Sequence, residues 1–311
     1  FYKNYQTRWI GLTGLDEMDL ERRQIQHVER KLVDHRCIPV FPDPEDYSKY
    51  LHGFSRNTIW PLFHYFTQSV TYDDMAWEAY ERINRLYAEK ILQVIDEGDI
   101  IWIHDYHLML LPGLIKQKMP DVSIGMFIHI PFPSFEIFRQ LPWRVELMEG
   151  MLGADLIGFH TYDYVRHFLS CVRRLLGYET VFNRVTIGER TLKVDAFPKG
   201  LNVDKFKEAA DRFQGKEKQN KSEIEKAIDS YMVPGKTEKI ILSIDKIDYT
   251  KGIPQRLQAY ELFLQEYPEY LEKVTMILLA VRSGETGQVY HRLNSEVDEL
   301  VGRINGNFGT I

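Results

Sequence analysis

The sequence predicts an α/β protein built on parallel sheets. Continuous apolar runs of about six to eight residues recur from Asp99 onward, amphipathic stretches separate them, and the runs end in polar residues. Continuous rather than alternating apolar runs mark strands covered on both faces, and strands that alternate with helices imply parallel order. A chain of 311 residues has room for about two such units.

The elements follow in order. Glu17–Val33 reads as a helix, and so does Trp77–Ile95, where Trp77, Tyr80, Ile83, Leu86 and Tyr87 recur at helical spacing. Asp99–His104 is a buried strand, followed by a helix over Leu108–Lys118 that Met119 and Pro120 end. Ser123–Ile130 is a second strand, and Phe135–Leu141 a short helix after the turn at Pro131 and Pro133. Asp155–His160 is a third strand, backed by a helix over Asp163–Leu176, and Leu192–Phe197 is a fourth. A polar, lysine-rich stretch from Asp211 to Lys226 interrupts the rhythm, and Pro234 and Gly235 mark a boundary. Strand Lys239–Ile244, helix Pro254–Glu266, strand Lys273–Val281 and helix Gln288–Val301 then resume it.

Composition narrows the function. Hydrophobic residues make up 44% and charged residues 27%, with a net charge of −6. Such a chain has no global electrostatic attraction for nucleic acid or for an anionic membrane. No apolar stretch approaches the 18 or so residues that span a bilayer. Two cysteines, Cys37 and Cys171, make neither a disulfide framework nor a zinc motif, and a reducing cytoplasm is the natural compartment. The ends, an aromatic polar run from Phe1 and a glycine-punctuated stretch from Asn305 to Ile311, read as cuts through a larger protein.

Open α/β sheets bind ligands at the carboxyl ends of their strands. Polar groups collect there: His104-Asp105-Tyr106-His107, then His129, then His160, then Pro198-Lys199-Gly200. Beyond the boundary the two strand ends are Asp245–Gly252 and Arg282-Ser283-Gly284. His104–His107 admits three readings. They are a metal site, a polar strand end in which Asp105 caps the next helix, and the preferred one, a sugar site in which the carboxylate accepts from two hydroxyls. Asp248–Gly252, with Lys246 and Lys251 ahead of a helix start, is either an anion site or a solvated turn. Trp77 is either core or a sugar platform. No phosphate-binding GxxxxGK[ST] loop, GxGxxG turn or GxSxG elbow is present.

Several strings taken together resemble trehalose-6-phosphate synthases, retaining glycosyltransferases of the GT-B fold. They are Trp60–Tyr65, Ile101–Leu108, His129–Ser134, Glu136–Phe138, Asp155–His160, Asp248–Ile253 and Val301–Gly306. The resemblance runs from about Trp9 to Ile311, and Trp60–Gln68 looks most like bacterial forms fused to a trehalose-phosphate phosphatase domain.

The resemblance implies two Rossmann-like domains, an acceptor-side one over residues 1–203 and the first part of a UDP-sugar-binding one over 204–311. It implies UDP-glucose and glucose 6-phosphate as substrates, transfer with retention, and no metal or other cofactor. It leaves the nucleotide preference and a homo-oligomer open. Tyr65, Trp77 and Asp105 match positions that hold glucose 6-phosphate. His129 matches a sugar-contacting histidine, and Ile130 a residue tied to Trp77 in anomer selection. Lys251 matches the lysine on the donor diphosphate, with Lys246 beside it. Asp105, His129, Lys246 and Lys251 are thus the expected catalytic group.

The departures matter as much. The family has arginine at Lys246, which keeps the charge and loses the bidentate fork. The arginine expected on the acceptor phosphate is Gly284, and Arg282, two positions earlier, takes that role only if the loop is redrawn. Gly200-Leu201-Asn202 stands where the family has Gly-Ile-Asp, preceded by Lys199 instead of an apolar residue, and Leu12 stands where a second tryptophan is usual. These changes keep open a second expectation, a non-catalytic, regulatory sugar-phosphate-binding module.

Overall fold

A computed structural model describes residues 6–13, 22–214, 226, 239–281 and 288–309. Arg282 and Gly284 lie outside the described residues. The chain divides into two compact units, Phe1–Gly200 and Leu201–Ile311.

The first unit opens with two parallel strands, β1 (Trp9–Leu12) and β2 (Cys37–Val40), joined through helix α1 (Arg22–Asp34). Helix α2 (Pro44–Ser48) then widens into a π-helical stretch, Lys49–Ile59, and tightens again as α3 (Trp60–Phe63). The stretch carries Gly53 where α4 (Asp74–Leu92) crosses. A Cβ there would stand 2.7 Å from the Ala76 Cβ, so only glycine lets the two backbones meet. Helix α4 starts earlier than its apolar spacing suggests because Asp73 caps it, accepting from the Met75 and Ala76 N–H groups at 2.9 and 3.4 Å.

A six-stranded sheet follows, built from β3 (Ile100–His104), β4 (Ser123–Phe127), β5 (Leu156–Phe159), β6 (Thr180–Val181), β7 (Arg184–Ile187) and β8 (Arg190–Ala196). Its order is β3-β4-β5-β8-β7-β6. The first four in that order are parallel, and β6 and β7 fold back antiparallel against β8. Helices α5 (Leu111–Lys116), α6 (Phe135–Phe138), α7 (Arg144–Met151) and α8 (Tyr162–Leu176) connect the parallel strands. The helix expected over Leu108–Lys118 starts only at Leu111, with a 3₁₀ turn over Tyr106–Leu108 before it. Ile101 and Ile103 face the core, while Ile100, Trp102 and His104 are exposed on the other face of β3.

The turn after β3 is held from below. Tyr80, fully buried on α4, donates its hydroxyl proton to the Tyr106 carbonyl at 2.8 Å and accepts the Met109 N–H at 2.9 Å. One turn on, the Asn84 amide donates to the His107 carbonyl at 3.3 Å. Burial pushes the Tyr80 hydroxyl far above its ordinary pKa, so it stays protonated and available for both bonds.

The second unit holds α9 (Val203–Gln214), β9 (Lys239–Lys246), α10 (Ile253–Glu266), β10 (Val274–Val281) and α11 (Gln288–Phe308). Strands β9 and β10 pair in parallel over their full length. Ile253, Leu257 and Leu264 of α10 pack with Leu293, Val297, Leu300 and Ile304 of α11 as its core. Strand β9 runs two residues past Ile244, which makes Lys246 its last residue. Helix α11 runs through Gly302 and Gly306 to Phe308, where the sequence suggests a loop. Among the described residues no helix is long and apolar enough to cross a membrane.

Tyr80→Phe removes one donor and one acceptor and leaves two buried backbone groups unpaired. Each such loss costs about 1–3 kcal/mol, so chemical denaturation should show the first unit destabilised by about 2–4 kcal/mol with secondary structure unchanged. A variant within about 0.5 kcal/mol of the parent would show that the turn is held by something else.

Candidate functional site

In the first unit the carboxyl ends of β3, β4 and β5 converge. Asp105 leaves β3 with φ 67° and ψ 179°, a backbone region that belongs almost solely to glycine. Its own N–H extends the ladder to the Phe127 carbonyl at 2.7 Å, and its carboxylate accepts the His129 N–H at 3.1 Å. The carboxylate makes no cap on the turn that follows, so that reading of Asp105 does not hold. Asp105 instead pins the segment after β4, and its remaining lone pairs are the ones a sugar hydroxyl could meet.

Tyr65 is placed by a second strained turn. After α3, Tyr65 N–H bonds to the Leu62 carbonyl at 3.1 Å and Phe66 N–H to the Pro61 carbonyl at 2.8 Å. That is a Schellman closure with tyrosine, at φ 66°, where glycine is the usual residue. The turn carries the phenol across to the segment after β4, where its oxygen accepts the Ser134 N–H at 2.9 Å. The phenolic proton is left to donate. The ring is 47% exposed, so a ligand can reach it.

Three histidines stand side by side at the same edge. His104 Nδ1 lies 3.1 Å from His129 Nε2, and the His129 and His160 ring centroids are 5.7 Å apart. Desolvation lowers the pKa of His104, and the nearby Asp105 carboxylate only partly opposes it. His129 is lowered first by desolvation and then by His104, His160 and Lys199, again against Asp105. The more deeply buried His107 is lowered too, for the same leading reason. The strand ends offered both His104, within His104–His107, and His129 as candidates, but the family resemblance gave a role to His129 alone. The signal was present: Trp102 and His104 lie two apart on the exposed face of β3.

Two other expected site residues are packed inward. Trp77 is 7% exposed and stacks on Trp143 at 5.2 Å and 9°, with Phe54 and Tyr80 also against it. Ile130 is buried as well. Among the described residues no group of three or more His, Cys, Asp or Glu side chains could hold a metal ion.

In the second unit the loop after β9 is built on Asp248. This buried carboxylate accepts from the Thr250 N–H at 2.9 Å, from the Thr250 hydroxyl at 2.7 Å and from the Tyr290 hydroxyl at 3.2 Å. A single 3₁₀ turn then carries Lys251 to Gly252, whose φ of 63° swings the chain into α10. Lys251 is exposed just ahead of that helix start, where unpaired N–H groups and the helix dipole favour an anion. Arg256, one turn into α10, bonds to Asp245 at 2.6 Å and to the Lys251 carbonyl at 3.1 Å. It braces the loop from within. Lys246 is exposed at the end of β9.

All of residues 1–311 match glycosyltransferase family 20. The chain is 45% identical over 310 residues to the UDP-forming alpha,alpha-trehalose-phosphate synthase of Pichia angusta, covering 98% of this chain and 63% of that protein. It is 41% identical over 314 residues to the 56 kDa subunit of the Saccharomyces cerevisiae UDP-forming synthase, covering 99% and 61%. Among solved structures it resembles a UDP-forming synthase from Burkholderia xenovorans, with a TM-score of 0.81 and 31% identity over 88% of this chain and 60% of that one. It resembles equally the N-terminal domain of Candida albicans trehalose-6-phosphate phosphatase, with a TM-score of 0.82 and 33% identity over 99% and 64%. The chain therefore spans about three fifths of the length of the proteins it matches.

At position 105, Asp105→Ala keeps the strained backbone and loses the bond to His129, whereas Asp105→Gly loses the bond and relieves the strain. Thermal and denaturant unfolding should find the glycine variant more stable than the alanine variant by about 1–2 kcal/mol. Equal stabilities would mean that φ here is unstrained. The histidines add a pH dependence. An unfolded chain, with ordinary imidazoles near pH 6.5, takes up protons before the folded one does. Stability should therefore fall as pH drops below about 6.5 and level off once the folded rings protonate. Denaturation midpoints measured between about pH 7.5 and pH 5 test this, and a midpoint flat across that range would contradict it.

Proposed function

The chain belongs to glycosyltransferase family 20, and from that premise we propose that it serves in α,α-trehalose-phosphate synthesis. Glucose passes from UDP-glucose to glucose 6-phosphate with retention, giving trehalose 6-phosphate and UDP. The observation that carries the reading is the convergence of Tyr65, Asp105 and His129 at one strand edge: Tyr65 and Asp105 are each fixed by a contact to the segment His129–Ser134, which His129 opens. A strained backbone held in place by hydrogen bonds is a feature of ligand sites.

The roles follow from the chemistry of each group. In the first unit, the acceptor side, the Asp105 carboxylate takes hydroxyl protons of the sugar. The Tyr65 phenol, its oxygen already accepting from Ser134, donates its proton toward the acceptor's phosphate. His129 contacts a sugar hydroxyl through its ring. Trp77 and Ile130, being buried, shape the floor beneath these groups. In the second unit, the donor side, Lys251 and the start of α10 meet the diphosphate. Negative charge grows there as the glycosidic bond to UDP breaks, so a cation fixed before the reaction lowers the barrier. Lys246 adds charge at the same strand end, and Arg282 is the cation we assign to the acceptor phosphate. Residues 1–203 form the acceptor-side domain and 204–311 the beginning of the donor-side domain. The chemistry requires no metal. The free thiols Cys37 and Cys171 suit a cytoplasmic setting.

A second reading is favoured by two observations: lysine at position 246 in place of arginine, and the likeness to the N-terminal domain of a phosphatase. In that reading the first unit binds a sugar phosphate and no transfer follows. Titration of glucose 6-phosphate and UDP-glucose into the full-length protein, together with UDP release on mixing them, separates the two. Saturable binding of both sugars with UDP release supports the synthase. Glucose 6-phosphate binding without release supports the regulatory module, and binding of neither sugar removes both readings.

In the full-length protein, Lys251→Ala should lower UDP release about 10²–10³-fold, the usual loss for one charge-stabilising group, with the unfolding midpoint unchanged. Parent-level release by this variant would take Lys251 out of the site. Lys246→Arg supplies the planar fork that binds a phosphate through two hydrogen bonds, and calorimetry on the full-length protein should show UDP-glucose binding about 10-fold tighter, one charged hydrogen bond being worth about 1.5 kcal/mol.

A further inference from the structure

We propose that His104 is a positioning residue for His129: it occupies one nitrogen of the His129 ring and so fixes which edge of that ring meets a sugar. The sugar-facing role of His129 rests on the synthase reading; the ring-to-ring contact does not.

His104 Nδ1 and His129 Nε2 are 3.1 Å apart, and the two rings lie 5.4 Å between centroids at 23°. Two ring nitrogens can bond only if one carries a proton and the other offers a lone pair. Whichever of the two donates, Nε2 of His129 is taken, and the Nδ1 edge is the one left to meet a ligand. The contact also ties the two tautomers together: either both rings carry the proton on Nδ1, or both carry it on Nε2. Without His104, the His129 ring can turn either nitrogen toward a sugar hydroxyl.

The backbone keeps the ring from leaving this contact. The His129 N–H is held by the Asp105 carboxylate, and the preceding Ile128 N–H by the Gly158 carbonyl at 3.0 Å. His104 is steadied in turn by Trp102, two residues earlier on the same strand face, whose ring lies 5.7 Å away and nearly parallel. Four rings thus form a row across the ends of three strands: Trp102, His104, His129 and His160.

The protonation state suits the arrangement. The charged and titratable groups facing the pair are Asp105 beside it, His160 at the end of β5 and Lys199 after β8. Desolvation outweighs Asp105 at both rings and lowers each imidazole from its ordinary pKa, and at His129 the neighbours His104, His160 and Lys199 push the same way. Both rings are then neutral at pH 7, each with one proton and one lone pair.

Nitrogen-15 NMR of the imidazoles in the 311-residue chain reads the tautomer directly. The parent should show His104 and His129 in matching tautomers, both Nδ1–H or both Nε2–H in the same proportion. His104→Phe, which keeps a ring beside Trp102, should shift the His129 nitrogens while His160 is unchanged. His104→Asn, whose carboxamide can bond where Nδ1 stood, should return them toward the parent values. A double-mutant cycle with glucose 6-phosphate and UDP-glucose as probes then reads the consequence. His104→Phe should weaken whichever sugar His129→Ala weakens, by about 5–10-fold, the worth of roughly one hydrogen bond. It should add nothing in the His129→Ala background, and His104→Asn should stay within about 2-fold of the parent. Unmatched tautomers in the parent, or His129 nitrogen shifts unmoved in His104→Phe, overturn the proposal, as does a His104→Phe loss that adds in full to that of His129→Ala. If His129→Ala leaves both affinities intact, the sugar-facing half falls together with the synthase reading of His129, and the nitrogen shifts decide separately whether His104 fixes the ring.

Discussion

The way the chain leaves β3 is the constraint on which the carboxyl edge of the first unit depends. A strand that ends in an ordinary turn would carry its next carboxylate away from its neighbour. Asp105 instead takes a positive φ, which costs about 1–3 kcal/mol for a residue with a Cβ, and its carboxylate is thereby brought onto the His129 N–H. The strain persists because the surroundings over-determine the turn. Tyr80 and Asn84 hold the carbonyls of Tyr106 and His107 and the N–H of Met109 from inside the core. Each of these bonds nets about 1 kcal/mol and would cost more if left broken, so together they offset the strain. Helix α4 therefore does more than bury an apolar stripe. Its polar residues at 80 and 84, one turn apart, set the height at which the site is built.

The same logic explains which parts of the fold were legible in the sequence. Strands β3, β4, β5, β9 and β10 announce themselves through continuous apolar runs, but the expected burial on both faces does not hold throughout: Ile100 and Trp102 of β3 and Ile240, Ile241, Leu242 and Ile244 of β9 are exposed. The β6–β7 hairpin has no such run. Its strands are two and four residues long and half-exposed, and they read as loop. The π-helical stretch Lys49–Ile59 mixes glycine, histidine, arginine and asparagine and has no clean period. It is helical because Tyr50, Phe54 and Ile59 are buried against α4 and its neighbours, a tertiary reason absent from local pattern. Helix α11 overruns Gly302 and Gly306 because Leu300, Ile304 and Phe308 continue one apolar face at four-residue intervals. Burial of that face outweighs about 1 kcal/mol of helix propensity lost per glycine.

Strand ends placed Asp105 and His129 at the carboxyl edge of the first unit, because topology alone puts such residues there. Sequence could not rank Trp77, whose helical spacing suits core and ligand platform alike. Its stacking on Trp143 places it in the core wall. Nor could it find the His104–His129 bond. Residues 25 apart in sequence become neighbours only through the register that pairs Ile103 with Met126 and His104 with Phe127. Motif resemblance reached the residue types in the right order. What each one touches came from strand register and from two positive-φ turns at residues that are not glycine.

The second unit shows how one loop can be rigid and cationic at once. Asp248 is buried, and a buried carboxylate is tolerated only when its oxygens are paired. Here Thr250 and Tyr290 pair them, so the negative charge points inward and serves as the loop's anchor to α11. Arg256 is likewise turned inward, its charge set against Asp245. With Asp248 buried and Arg256 paired to Asp245, the exposed cations of the loop are Lys246 and Lys251, beside the first N–H groups of α10. A lysine in that place is a point charge on a flexible stem, whereas an arginine would present a planar fork to a phosphate. Position 246 therefore changes the geometry of anion recognition more than its strength of charge. The rigid Asp248–Gly252 turn leaves Lys251 as the group whose position the fold itself defines.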